Sequence, residues 1–203
     1  MTEFWEAAFQ GKQEMWGMEP AHSTFIARDL FIQHQVKNVL VPGIGYGRNA
    51  RVFTEAGMKV TGIEISQTAI DLAQIHFGKD LTIHHGSVTD MPFDDHLYEG
   101  IFCYGLIYLL DGDERAKLIR DCYHQLVDGG LMIFIAITKE AKTYGQGMHI
   151  SKDRYEMFGG VKIFFYDLET IEEEFGHVGL VEAFDVVENY PFYFVLCKKE
   201  VST

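Results

Sequence analysis

An α/β fold, with seven strands in a mostly parallel sheet, helices on both faces and a C-terminal antiparallel hairpin, is predicted by three observations. The stretch from Val39 to Ser66 reads as strand, glycine turn, helix and strand in succession. Apolar runs then alternate with helical patterns as far as Ile137, so that helices cover both faces of a sheet. After Leu180, two alternating strands flank Asn189 and Pro191 in the manner of a hairpin. At 203 residues and 47% hydrophobic content, the chain can bury a substantial core as a single domain over residues 1–203. Such an arrangement is Rossmann-like.

Each element can be justified in order. Phe4, Trp5, Ala8 and Phe9 recur at helical spacing before Trp16 and Pro20. Phe25 to His34 is an amphipathic helix, so residues 1–35 read as N-terminal cap helices. Strand 1 is Val39 to Val41. Gly43, Gly45 and Gly47 follow at alternate positions, where missing β-carbons allow a sharp turn and let a ligand lie against backbone N–H groups. A helix fits Asn49 to Ala56. Strand 2, Lys59 to Ile63, ends at Glu64, about 20 residues past the first glycine, where ribose-binding units place their acid. A helix over Gln67 to Phe77 sets Ile70, Ala73 and Phe77 on one face. Leu81 to His85 and Gly100 to Tyr104 are strands 3 and 4. Asp111 to Leu126 is a helix whose first turn carries Asp113 and Glu114, complementing the helix dipole. Asp128, Gly129 and Gly130 form a turn before the continuous apolar run Leu131 to Ile137, expected of a buried strand.

Residues 138–167 break this rhythm. Tyr144, Gly145, Gly147, Met148, His149, Tyr155, Phe158 and Phe164 fall without clear periodicity, and a loop of this length rich in aromatics is expected to be a substrate lid. Asp167 opens the last helix, to about His177. Leu180 to Glu188 and Phe192 to Lys198 are the final strands.

Composition excludes several functions. A formal net charge of −13 without a Lys/Arg cluster argues against nucleic acid or an anionic membrane surface as partner. Cys103, Cys122 and Cys197 are an odd, scattered set, expected to be reduced core thiols. The N-terminus lacks the basic and apolar order of a signal peptide, and no apolar stretch reaches about 18 residues, so a cytoplasmic protein is expected, as monomer or homodimer. His84 and His85 are adjacent on one strand and point to opposite faces, so no metal site is expected.

The glycine turn narrows the ligand. A dinucleotide fingerprint, G-x-G-x-x-G, needs a third glycine where Arg48 stands, and no P-loop pattern occurs. The compressed G-x-G-x-G followed by Glu64 resembles motif I of the class I S-adenosylmethionine methyltransferases. The run from Pro42 to Ser66 can be laid without a gap on the thiopurine methyltransferases, and VLVPGIG is similar to the opening of the plant thiol and halide methyltransferases. Both groups carry a proline in the position of Pro42, and both lack the usual motif I acid, here Val41. Their aromatic N-terminal pattern is similar to Trp5, Phe9 and Trp16.

The resemblance implies S-adenosylmethionine as cofactor, converted to S-adenosylhomocysteine. It implies cofactor contacts from Gly43, Ile44, Gly45, Tyr46, Gly47, Glu64 and Ile65. HHGSVTDMPF is similar to motif III, which places Gly86, Ser87 and Val88 at the adenine; Ser87 replaces the usual acid, so a hydroxyl and backbone groups take over that contact. YEGIFCYGLIYLL resembles motif IV, and by position Tyr104, Gly105 and Tyr108 border the transferable methyl. Trp5 and Trp16 either cap the domain or lie over the cofactor mouth, where an indole face favours a sulfonium; both roles are compatible. Tyr104, Tyr144 and His149 are the candidate catalytic residues, His149 with the alternative of a solvent-exposed surface residue. Three functions remain: methyl transfer to a small-molecule acceptor, especially a thiol, halide or other soft nucleophile; binding of S-adenosylmethionine without catalysis; or nicotinamide-dependent oxidoreduction, which Arg48 disfavours.

Overall fold

The computed structural model describes residues 2–78 and 81–201, so the outermost residues of the expected 1–203 domain and the first residue of the 1–35 cap lie outside it. Seven strands, β1 (Asn38–Pro42), β2 (Lys59–Glu64), β3 (Thr82–His85), β4 (Tyr98–Tyr104), β5 (Leu126–Ile137), β9 (Leu180–Val187) and β10 (Pro191–Lys198), form one sheet. Its order is β3-β2-β1-β4-β5-β10-β9, and β10 alone runs antiparallel to its neighbours. The predicted α/β class and closing hairpin are present.

Strand periodicity assigns the two faces. Val39, Val41, Phe102, Ile133 and Ile135 pack with Phe31 of α2 (His22–Gln33) and Phe53 of α3 (Ala50–Glu55). The alternate residues Leu40, Ile101, Cys103, Met132 and Phe134 pack with Leu118 and Cys122 of α5 (Gly112–His124) and Phe175 of α6 (Leu168–Phe175). On the first side, α1 (Thr2–Lys12) lies on α4 (Gln67–Phe77), with Phe9, Tyr46 and Ala69 in a third small cluster.

Helix starts are set by side chains that satisfy unpaired N–H groups. Ser66 Oγ accepts from Ala69 N at 3.2 Å, and Asp167 Oδ1 accepts from Thr170 N at 2.9 Å. Asp111 and Glu114 form a full capping box, with bonds of 3.0 and 2.8 Å. Among the described residues no helix is long and apolar enough to cross a membrane.

Two expectations are corrected. Asp128, Gly129 and Gly130 do not separate a helix from a strand, because β5 already starts at Leu126 and the glycines sit at a slip in its pairing with β4. Residues 138–167 are not an irregular loop. They hold a second antiparallel sheet, β6 (Met148–Ser151), β7 (Arg154–Met157) and β8 (Val161–Phe164). Lys139 Nζ pairs with Asp153 at 2.8 Å and with Asp167, and the Tyr144 hydroxyl donates to Asp153 at 2.6 Å, so this small sheet is tied to the end of β5 and the start of α6.

Candidate functional site

A cleft of about 320 Å³ opens where β1, β2, β3 and β4 end, the place where open parallel sheets bind ligands. Its floor is the turn after β1. Gly43 and Gly45 have φ of +69° and +58°, a left-handed conformation that a side chain would oppose. Gly43 N and Ile44 N both donate to Ile63 O, at 2.9 and 3.1 Å, pinning the turn to β2.

Glu64 closes the turn from the end of β2. It is 6% exposed. Its Oε2 accepts from Gly45 N at 2.9 Å, and its Oε1 accepts from Ile65 N and Ser66 N at 2.8 and 2.9 Å. Burial pushes its carboxyl above the ordinary range, and these three N–H donors oppose that shift. A carboxylate has about four lone-pair sites, so Oε2 retains capacity for a hydroxyl in the cleft.

An aromatic cap covers one side. Trp16 stacks on Tyr46 at 6.4 Å, and Trp5 and Phe9 lie 6.2 and 5.8 Å from Trp16 between ring centroids. The Tyr46 hydroxyl donates to Gly17 O at 2.7 Å. Arg48 Nη1 donates to Trp16 O and Glu19 O at 3.2 and 3.0 Å, and its guanidinium lies 5.7 Å from the Tyr104 ring centre.

Trp5, Trp16, Gly43, Ile44, Gly45, Tyr46, Glu64, Ile65, Gly86, Ser87, Val88, Tyr104, Gly105 and Tyr108 all line this one cleft. Three sequence-derived residues do not. Gly47 faces the helix layer instead: a β-carbon there would lie 2.8 Å from the Phe77 ring, so its role is close packing on α4. Tyr144 is spent on Asp153 and packs edge-on against Tyr155 and Phe165; the bond to Asp153 is the first cause that lifts its phenol to about 12. His149 is exposed on β6 with its ring against Tyr155. Neither reaches the cleft as base or contact.

Tyr104 does reach it, but as a proton donor. Its hydroxyl donates to Glu188 Oε2 at 2.8 Å, and burial, followed by the Glu188 charge, pushes its pKa far up. Burial does the same to Tyr108. His84 and His85 have separate partners, Asp94 at 2.9 Å and the Ile65 carbonyl at 3.2 Å.

Sequence reading missed Arg48 and Glu188. A cation at a helix start, against the dipole, was the available signal for Arg48. Glu188 lies beyond local inference: it meets Tyr104 and Ser23 N only through the fold.

Residues 40–134 match the family model described as a methyltransferase domain. The matched stretch is a little under half of the 203 residues. Over 143 residues the chain is 27% identical to a ubiquinone biosynthesis O-methyltransferase of Coxiella burnetii, covering 65% of this chain and 60% of that protein. A protein of the same description from Pseudomonas entomophila is 24% identical over 132 residues, covering 62% of this chain and 57% of that one. The chain therefore spans about three fifths of the length of these curated relatives. Among solved structures, a Burkholderia thailandensis 1,6-didemethyltoxoflavin-N1-methyltransferase with bound S-adenosylhomocysteine superposes with a TM-score of 0.74 at 16% identity, covering 98% of this chain and 87% of that one. A S-adenosylmethionine-dependent methyltransferase from Clostridium acetobutylicum gives 0.71 at 14% identity, covering 88% and 90%.

Proposed function

We propose that this chain catalyses transfer of a methyl group from S-adenosylmethionine to a small-molecule acceptor whose reacting atom is a soft nucleophile such as a thiol or halide. One observation carries this reading: the glycine turn, Glu64 and the Gly86–Val88 segment converge on a cleft whose other wall, among the described residues, has no histidine, lysine or aspartate. The donor set fits the cofactor. Glu64 Oε2 has capacity for a ribose hydroxyl, Ser87 and Val88 stand at the end of β3 for the adenine, and the Trp5, Trp16 and Tyr46 rings offer π faces to a cation.

When bound, the cofactor supplies an activated methyl that leaves with loss of the positive charge at sulfur. The chain's own contribution is alignment and exclusion of water. Tyr104, held protonated by burial and by the Glu188 charge, has its one O–H committed to Glu188, so it orients a group by packing on it and does not remove a proton. A nucleophile that needs no protein base suits such a wall, whereas a hydroxyl or amine acceptor would want one. Residues 2–35 cap the cofactor side and 138–167 cover the acceptor side of one cytoplasmic domain.

The test has two stages. Calorimetric titration should show S-adenosylhomocysteine binding to wild type, weakened in Glu64→Ala by roughly 1.5–3 kcal/mol for the lost charge-assisted bonds; equal affinities would remove the ribose assignment. Turnover is then followed over thiols, iodide, thiopurines, selenite, tellurite, amines and catechols. Preference for catechols or amines would replace the soft-nucleophile reading, turnover of none would favour a non-catalytic binder, and bound NAD would overturn the cofactor itself.

A further inference from the structure

The part of the cleft not assigned to the cofactor includes Ile137, Phe158, Val161, Ile163 and Phe192, with Asn189 and Tyr190 as polar neighbours. Ile137, Ile163 and Phe192 are buried, but Phe158 is 63% exposed. Phe158 also has an unusual backbone. It stands at the turn between β7 and β8 with φ +51°, a left-handed conformation that is an outlier for a bulky residue and costs about 1–3 kcal/mol. Gly159 and Gly160 follow at φ +77° and +117°, with no atom within 4 Å of where a β-carbon would stand, so the tip has room to move. The base of the same small sheet is fixed by the Lys139–Asp153 pair, the Tyr144–Asp153 bond and the Tyr144, Tyr155 and Phe165 rings. A firm stem thus carries a loose, strained tip with an exposed ring at the cleft.

Resting on the methyltransferase reading, we propose that Phe158 closes the acceptor half of the cleft, packing its ring on an acceptor that presents an apolar face and so selecting for such acceptors. Covering the acceptor would bury the exposed ring and shut out water during transfer.

Thiophenol is the probe, titrated calorimetrically into protein saturated with S-adenosylhomocysteine. Phe158→Ala is expected to weaken thiophenol binding about tenfold, from the apolar area no longer buried, while Phe158→Leu retains most of it. Thermal midpoint and S-adenosylhomocysteine affinity should stay at wild-type values, since the residue is exposed and stands on the small sheet rather than on the glycine turn. Equal thiophenol affinity in wild type and Phe158→Ala, or binding by neither, overturns the proposal; intact S-adenosylhomocysteine binding then leaves the cofactor reading standing. Failure of wild type to bind S-adenosylhomocysteine overturns both.

Discussion

A β-carbon on Gly62 would lie 2.5 Å from Ile44 Cδ1 and 2.9 Å from Ile44 Cβ, and Ile44 sits between the two glycines that form the floor of the cleft. The close approach follows from the parallel register, which puts Val41 of β1 beside Gly62 of β2. Because the clash reaches Cβ, Ile44 cannot escape by rotating a side-chain end, and the turn itself must shift. Gly62→Ala is therefore expected to cost about 1–3 kcal/mol in urea unfolding and to weaken S-adenosylhomocysteine binding in parallel. A variant with wild-type stability and affinity would show that the turn tolerates displacement. Glu64 was readable from its distance to Gly43, because that spacing belongs to the local chain. Gly62 was not, since its partner is visible only once two strands are laid side by side.

At the scale of elements, one side chain adds hydrogen bonds to the apolar packing of α1 on the start of α4. Glu6 Oε2 accepts from Ser66 Oγ at 2.6 Å, and Oε1 accepts from Thr68 Oγ1 at 2.5 Å. The Ser66 and Thr68 hydroxyls bring the Glu6 carboxyl from 4.5 down to about 2. A carboxyl lowered on folding adds stability above its unfolded value and loses it as pH falls through the folded value. The tether is thus complete above pH 4.5 and weakens between there and about pH 2. The protein's two tryptophans are Trp5 on α1 and Trp16 beyond it, so their emission should change over this window, and Glu6→Ala should abolish that transition. An unchanged titration in Glu6→Ala would assign it to another group. Helix α4 was legible to the residue because Ser66 caps it and its apolar positions repeat at helical spacing. The small sheet β6 to β8 was not. Its strands are only four residues long, β6 is exposed throughout and β7 is half-buried throughout, so neither carries the in-out alternation that marks a strand.

For the whole molecule, the cleft draws its walls from the ends of β2, β4 and β5, the segments that follow β1 and β3, the N-terminal cap, the small sheet and the final hairpin, so a bound ligand should stabilise the entire fold. Saturation with S-adenosylhomocysteine at 100 times its Kd is worth about 2.7 kcal/mol. For a chain of 203 residues this corresponds to a rise in Tm of roughly 5–10 °C, measurable by differential scanning calorimetry. No shift at that excess would place binding outside the folded core.

By itself, the sequence determined the order of strands and helices in the main sheet, the closing hairpin and the glycine turn with Glu64, because each is written in residues a few positions apart and obeys a fixed period or spacing. Tertiary structure alone decided which of the candidate residues meet in the cleft and which partners they find. It brought Tyr104 to Glu188 across 84 residues, turned Gly47 to the helix layer, withdrew Tyr144 and His149 from the site, and set Phe158 at its edge. Those outcomes depend on register and on which face of a distant element a side chain meets, and no local period encodes either.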